Sequence, residues 1–253
     1  MREATLSAEE TVKRSFLQRT YALAGISIAV SGLIAAAVYK LLETFGPPIL
    51  LEQFKYLPRD LQGIALIVVG IMLLLAMLSL GLLLIKWVSQ LYTPLFLIVV
   101  AWVAFAVLGG LLLSPVFYLA GYELTLKVFL ATGAVFTATG LLAYTLRINL
   151  TRWGGQILSM LVGLTIMGAI NLVLRSEWIE IAWMYGGLVL WIIIAAYAHQ
   201  LLKYLPMPTE EERERGALTR LAIGSALLLY IIFYGLFIRL LVIALSQKGK
   251  SRR

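Results

Sequence analysis

The chain has 253 residues, of which 61% are hydrophobic and only 13% are charged, and it carries a net charge of +8. This composition lies far outside the range of soluble globular domains and predicts a protein embedded in lipid. The chain contains no cysteine, which excludes disulfides, thiolate metal ligands and cysteine nucleophiles.

Seven windows are apolar and long enough to cross a hydrocarbon core of about 30 Å, which takes roughly 20 helical residues. They cover residues 20–39, 63–85, 91–113, 128–146, 156–174, 181–202 and 221–245. The run LIVVGIMLLLAMLSLGLLLI shows almost no polar stripe at helical spacing, so these helices should face lipid or one another. The sequence therefore predicts an all-α polytopic membrane protein with seven transmembrane helices.

The same pattern predicts three segments: a cytoplasmic amino-terminal segment over residues 1–19, a transmembrane domain over 20–246 and a basic tail over 247–253. The opening segment is polar and the span after it is too long for the apolar region of a cleaved signal, so the first helix should be retained as an anchor. The connections are short, which leaves the function to the helical bundle.

The basic residues lie at the flanks of the spans, which is typical of contact with anionic lipid head groups and not of nucleic-acid binding. With a cytoplasmic amino terminus, the inner segments carry 11 basic residues and the outer loops carry 5. This bias favours that orientation. The side on which the tail lies stays open.

The longest inner loop, KYLPMPTEEERERGALTRL, is interpreted in two ways: as a solvated linker with a short helical turn, or as a docking site for a soluble partner. Small residues also recur at four-residue spacing, which lets transmembrane helices approach closely. These faces contain Gly25 with Ala29, Gly32 with Ala36, Gly155 with Ser159 and Gly163, and Ala182 with Gly186.

Motifs for catalysis are scarce. The sequence has no phosphate-binding glycine loop, no pair of histidines at metal spacing and no catalytic pair within the spans, so we expect neither an enzyme nor a cofactor or metal site. Asn171 and Arg239 are polar residues at membrane depth, where burial is costly and function is common. Asn171 either ties two helices together or lines a pore; Arg239 either reaches the interface or serves as a pore residue or latch.

The run GLLLSPVFYLAGYELTLKVFLATGAVFTATGLLAYTLRINLTRWGGQILSMLVGLTIMGAINLVL resembles the Bax inhibitor-1 family, also called the transmembrane Bax inhibitor motif family. The residues that match the family's pattern are Ser114 and Pro115, the basic turn TLRINLTRWGG, and the asparagine-leucine pair Asn171 and Leu172. The segments FLQRTYALAGISIAV, AAYAHQ and ALLLYIIFYGLFIRLL extend the likeness over nearly the whole chain. The prokaryotic branch is the most similar, which implies a bacterial inner membrane.

The resemblance implies a seven-helix bundle with a central carboxy-terminal helix. It also implies a pH-sensitive calcium leak channel, with cell-death suppression in eukaryotes and binding of a membrane-bound protease, or a stress response, in bacteria. The family senses pH through two acidic residues that face each other between the sixth and last helices. Those positions match Ala198 and Ile232 here, so the acidic pair is replaced.

His199 adjoins the replaced acid, although one helical step turns a side chain by roughly 100°. Its imidazole could replace the lost proton switch, or it could lie at the cytoplasmic interface near head groups and Arg220. The candidate pore or sensor residues are Tyr197, His199, Gln200, Tyr230, Tyr234, Arg239 and Asn171. Two functions are consistent with this reading: a leak pathway for a cation such as calcium, or a non-conducting protein that modulates a membrane-bound protease.

Overall fold

The computed structural model describes residues 2–45, 79–90, 93–145 and 149–250, and within those ranges the chain is helical apart from short connections. Eight α-helices and one 3₁₀ helix are described: α1 Arg2–Phe45, α2 Ser79–Ser89, α3 Leu95–Ala120, α4 Tyr122–Thr145, the 3₁₀ helix Leu150–Trp153, α5 Gly154–Leu174, α6 Glu177–Tyr204, α7 Glu210–Glu214 and α8 Ala217–Lys250. The predicted all-α class is confirmed.

Six of the seven predicted spans coincide with helices that are long and apolar enough to cross a membrane, namely α1, α3, α4, α5, α6 and α8. The prediction for the second span, 63–85, falls mostly on residues 63–78, which lie outside the described ranges. Its last residues belong to α2, an apolar helix described over Ser79–Ser89.

The helices run across both predicted segment boundaries. α1 begins at Arg2 and passes residue 19 without interruption, and α8 extends through residue 247 to Lys250. The segment REATLSAEETVKR contains neither glycine nor proline and is rich in strong helix formers, so nothing in it ends a helix before the first span.

The described helices belong to two compact units, the first made of residues 1–122 and 207–227 and the second of residues 123–206 and 228–253. In the first unit, α1 and α3 approach closely. Ser31 donates a hydrogen bond from Oγ to the Ala106 carbonyl at 2.6 Å. A Cβ atom added at Gly110 would lie 2.7 Å from the Ser31 carbonyl oxygen, so only glycine fits at this crossing.

Arg220, near the start of α8, is buried in the first unit and secures the end of α2. Its guanidinium donates to the Gln90 carbonyl at 3.0 Å and also to the Thr93 carbonyl. A cation at these carbonyls satisfies acceptors that the helix end leaves open and complements its negative dipole end.

The loop between α6 and α8 contains the short helix α7. Thr209 and Glu212 cap it reciprocally: the Thr209 N–H donates to Glu212 Oε2 at 2.9 Å, and the Glu212 N–H donates to Thr209 Oγ1. Its arginines pair with glutamates three or four residues earlier, as in Arg215 with Glu211 at 3.0 Å. These internal pairs agree with the interpretation of a solvated helical turn.

In the second unit, aromatic rings join α4 to α8. Phe129 lies 5.2 Å from Phe233 and 5.8 Å from Phe237, measured between ring centroids. On the opposite side, Trp191 of α6 lies directly against Gly235 of α8, where a Cβ atom would overlap the indole. α8 therefore packs closely against α4 through phenylalanine rings and against α6 through the contact of Trp191 with Gly235.

Half of the most apolar window of α8 is buried, the largest share among the six candidate spans, whereas only 6% of the corresponding window of α5 is buried. α8 is therefore the most buried of the six helices, while most of the surface of α5 is free of contact with the described residues. This difference directs the search for a functional site to α8 and to its contacts with α4 and α6.

Candidate functional site in the second unit

Ala198 and Ile232, the positions that match the acidic pair of the resembled family, are buried, with 1% and 3% of their surfaces exposed. The residues that follow them converge on one ring: His199 lies 4.9 Å and Phe233 lies 5.8 Å from the Phe136 ring centroid of α4. The two positions themselves are enclosed by protein. An uncharged side chain suits such a place, because an ionised carboxylate loses its hydration there.

His199 is only 1% exposed, so the expectation that it lies among lipid head groups at the interface is wrong. Its ring lies over Gly140 of α4, and a Cβ atom there would come within 3.1 Å of His199 Cε1 and 3.2 Å of Nε2. Glycine at 140 provides the space into which the imidazole packs. The His199 side chain therefore points toward α4. One helical step turns a side chain by about 100°, so His199 does not share the direction of Ala198.

Gln200 fastens the connection between α4 and α5. Its Nε2 donates to the Ala143 carbonyl at 3.2 Å, and its Oε1 accepts the Leu150 N–H at 2.7 Å. One buried amide thereby binds a backbone group at the end of α4 and another at the start of the 3₁₀ helix. Tyr197 of α6 contacts Gly154, the first residue of α5: a Cβ atom at Gly154 would lie 3.0 Å from the tyrosine hydroxyl. The start of α5 is therefore in close contact with α6.

Tyr230 and Tyr234 lie one turn apart on α8 and pack with tilted rings, whose centroids are 4.7 Å apart. Tyr230 is almost fully buried, and the Tyr234 ring also packs against Phe233 and Phe237. Both tyrosines are therefore part of the aromatic core of the second unit.

Arg239 packs on α6. Its guanidinium carbon lies 3.9 Å from the centroid of the Trp183 ring, and its Nη1 approaches the Trp183 carbonyl at 3.5 Å. A Cβ atom at Gly187 would lie 2.8 Å from that guanidinium carbon. Glycine at 187 and the indole face thus form a cradle for the cation. This geometry agrees with the predicted role of Arg239 as a pore residue or latch, since a cation over a tryptophan ring is stabilising.

Asn171 joins α5 to α6. Its Oδ1 accepts the Ser176 N–H at 2.9 Å, and its carbonyl accepts the Arg175 N–H at 2.8 Å. Arg175 has φ 50°, the left-handed conformation that often ends a helix. The geometry agrees with the interpretation of Asn171 as a tie between two helices.

The candidate residues fall into four groups of contacts: Tyr197 and Gln200 at the basic turn, His199 and the tyrosines of α8 in the aromatic core, Arg239 on α6, and Asn171 between α5 and α6. Within the described ranges, no three His, Asp or Glu side chains converge so as to hold a metal ion. Sequence reasoning missed the partners Trp183, Gly187 and Gly140. Arg239 itself was the only usable signal, since a lone charge in a span demands a partner.

The predicted small-residue faces are wrong at several glycines. Gly25, Gly155, Gly163 and Gly186 have open space where a Cβ atom would stand. Gly187, which follows Gly186, is the glycine that packs closely, against the guanidinium of Arg239. In α5 the glycine that packs closely is Gly168, where a Cβ atom would lie 2.5 Å from the indole nitrogen of Trp183.

The six long apolar helices among the described residues define a polytopic helical membrane protein. The sequence model of the family described as "Inhibitor of apoptosis-promoting Bax1" matches residues 13–250. The chain belongs to this Bax inhibitor-like family, as its resemblance predicted.

Two relatives show how far the likeness extends. The inner membrane protein YbhL of Escherichia coli (strain K12) is 30% identical over 137 residues, which cover 54% of this chain and 58% of that protein. The alignment thus spans less than two thirds of the length of that relative. An uncharacterized protein of Borreliella burgdorferi is 24% identical over 233 residues, or 92% of each chain.

Proposed function

We propose that this protein is a calcium leak pathway of the bacterial inner membrane that lacks the proton switch of its family. Family membership supports the leak function, and the inner membrane follows the printed name of the relative in Escherichia coli. The observation that carries the second half of the proposal is the near-complete burial of Ala198 and Ile232, two side chains that cannot titrate.

Two carboxylates in one site of low dielectric share a proton, which raises the pKa of one of them toward neutral pH. Alanine and isoleucine cannot titrate. A pathway built around them has no carboxylate pair whose repulsion could separate α6 from α8 as the pH rises. The leak should therefore stay constant where that of an acidic relative would change.

The proposal predicts calcium entry into liposomes that contain the purified protein. We expect a rate above that of protein-free vesicles, with little change between about pH 6 and pH 8 because the matching positions are uncharged. An indicator dye trapped inside the vesicles measures the rate. A rate equal to that of empty vesicles would contradict the leak function and favour a non-conducting protein that modulates a membrane-bound protease.

A further inference from the structure

One end of the second unit combines unpaired basic residues with exposed aromatic rings. The carboxy-terminal ends of α4 and α6 meet the 3₁₀ helix there, since Gln200 binds both Ala143 and Leu150. This fastening fixes the backbone that carries Arg152 and Trp153 next to the last turn of α6, which carries Lys203.

The lysine is held in a defined position. The Lys203 ammonium lies 5.9 Å from the ring centroid of Tyr144 and 5.8 Å from that of Tyr204. Two aromatic faces orient the ammonium but leave its three N–H donors available, because a ring attracts the charge and accepts no full hydrogen bond.

No acidic side chain among the described residues neutralises these cations, as neither Arg152 nor Lys203 forms an ion pair there. The acidic residues described in the second unit, Glu123, Glu177 and Glu180, lie in the first turns of α4 and α6. From Glu180 to Lys203 the helix axis extends about 35 Å, well beyond the screening length of physiological salt.

The surroundings of the cations are aromatic and apolar. Trp153 is 52% exposed and Tyr204 is 55% exposed, and Leu158 is exposed one turn into α5. Tryptophan and tyrosine of this kind are typical of the boundary between head groups and acyl chains. A water-soluble anion would contact only the cations, whereas a phospholipid would contact the cations through its phosphate and the apolar side chains through its acyl chains.

We propose that Arg152 and Lys203 bind the phosphate of an anionic phospholipid, with Trp153 and Tyr204 along its glycerol and upper acyl region. The arginine supplies a planar fork of donors for phosphate oxygens, and the lysine adds a point charge. The site is independent of whether the protein conducts an ion.

The test counts lipids that stay bound to the purified protein in native mass spectrometry, after reconstitution with phosphatidylglycerol or with phosphatidylcholine. We expect the protein to retain phosphatidylglycerol preferentially. The double variant Arg152→Gln/Lys203→Gln should bind it roughly thirtyfold more weakly, since each basic residue near an anionic surface contributes about fivefold.

The matched control is Lys127→Gln/Lys248→Gln, which removes the same charge from residues near Glu123, at the opposite end of α4. It should retain the lipid as the unchanged protein does. Equal retention of both lipids by the unchanged protein, or equal losses in the two double variants, would overturn the proposal. Displacement of the lipid by excess inorganic phosphate would instead assign the cations to a soluble anion and would also overturn it.

Discussion

Replacing Gly110 with alanine is expected to lower the Tm of the purified protein by several degrees. The added Cβ atom would lie 2.7 Å from the Ser31 carbonyl oxygen and 2.8 Å from Ile34 Cβ. Since one of these atoms is backbone, α1 and α3 must separate. Overpacking of this kind costs about 1–3 kcal/mol, and the separation also stretches the hydrogen bond from Ser31 to Ala106.

The matched control for this change is Gly25→Ala in α1, where a Cβ atom meets nothing within 4 Å. Alanine favours helix over glycine by about 1 kcal/mol, so this variant should keep or slightly raise the Tm. Thermal unfolding of both variants in the same detergent is the measurement. If the two Tm values move together, the close crossing of α1 and α3 is wrong.

The change Gly187→Ala should displace Arg239 in its cradle. The new methyl group would lie within about 3 Å of three guanidinium atoms, so the cation must shift on the Trp183 ring. The guanidinium is the far end of a flexible side chain and Arg239 is only half-buried, so the cost is limited to the weakened cation–π contact. We expect a loss of about 1–2 kcal/mol in the free energy of unfolding.

Gly186→Ala is the control, because the adjacent glycine has open space at its Cβ position. A double-mutant cycle isolates the contact: in an Arg239→Met background, most of the effect of Gly187→Ala should disappear. Denaturant titration in mixed micelles measures each variant. An undiminished effect in that background would mean that Gly187 is needed for some contact other than Arg239.

The helices were predictable from the sequence because lipid imposes length and hydropathy on every span. Windows 156–174, 181–202 and 221–245 each lie within a described helix. The helix ends were less predictable. α1 starts at Arg2, since a polar segment of good helix formers continues a helix as readily as it forms a loop.

Contacts between helices were much harder to predict. In lipid, an apolar side chain gains little by facing protein instead of acyl chains, so hydropathy does not reveal which face of a helix is buried. Gly186 and Gly187 are therefore indistinguishable in the sequence, yet only Gly187 meets Arg239. In the same way, nothing in the sequence paired His199 with Gly140, and its burial became visible only in the packed second unit.

The resemblance supplied what physical patterns could not. It singled out Ala198 and Ile232, two ordinary apolar residues that composition would never select. Their burial shows that both positions lie inside the packed protein and carry no charge there.

The pH profile of calcium flux in Ala198→Asp/Ile232→Asp tests the role of these two positions most directly. In liposomes between about pH 6 and pH 8, the unchanged protein should give a flat profile. The aspartate variant should leak more as pH rises, because its two carboxylates lose their shared proton and repel each other. Ala198→Asn/Ile232→Asn, which cannot titrate, should stay flat. A steep profile in the unchanged protein, or a flat one in a folded aspartate variant, would contradict the account.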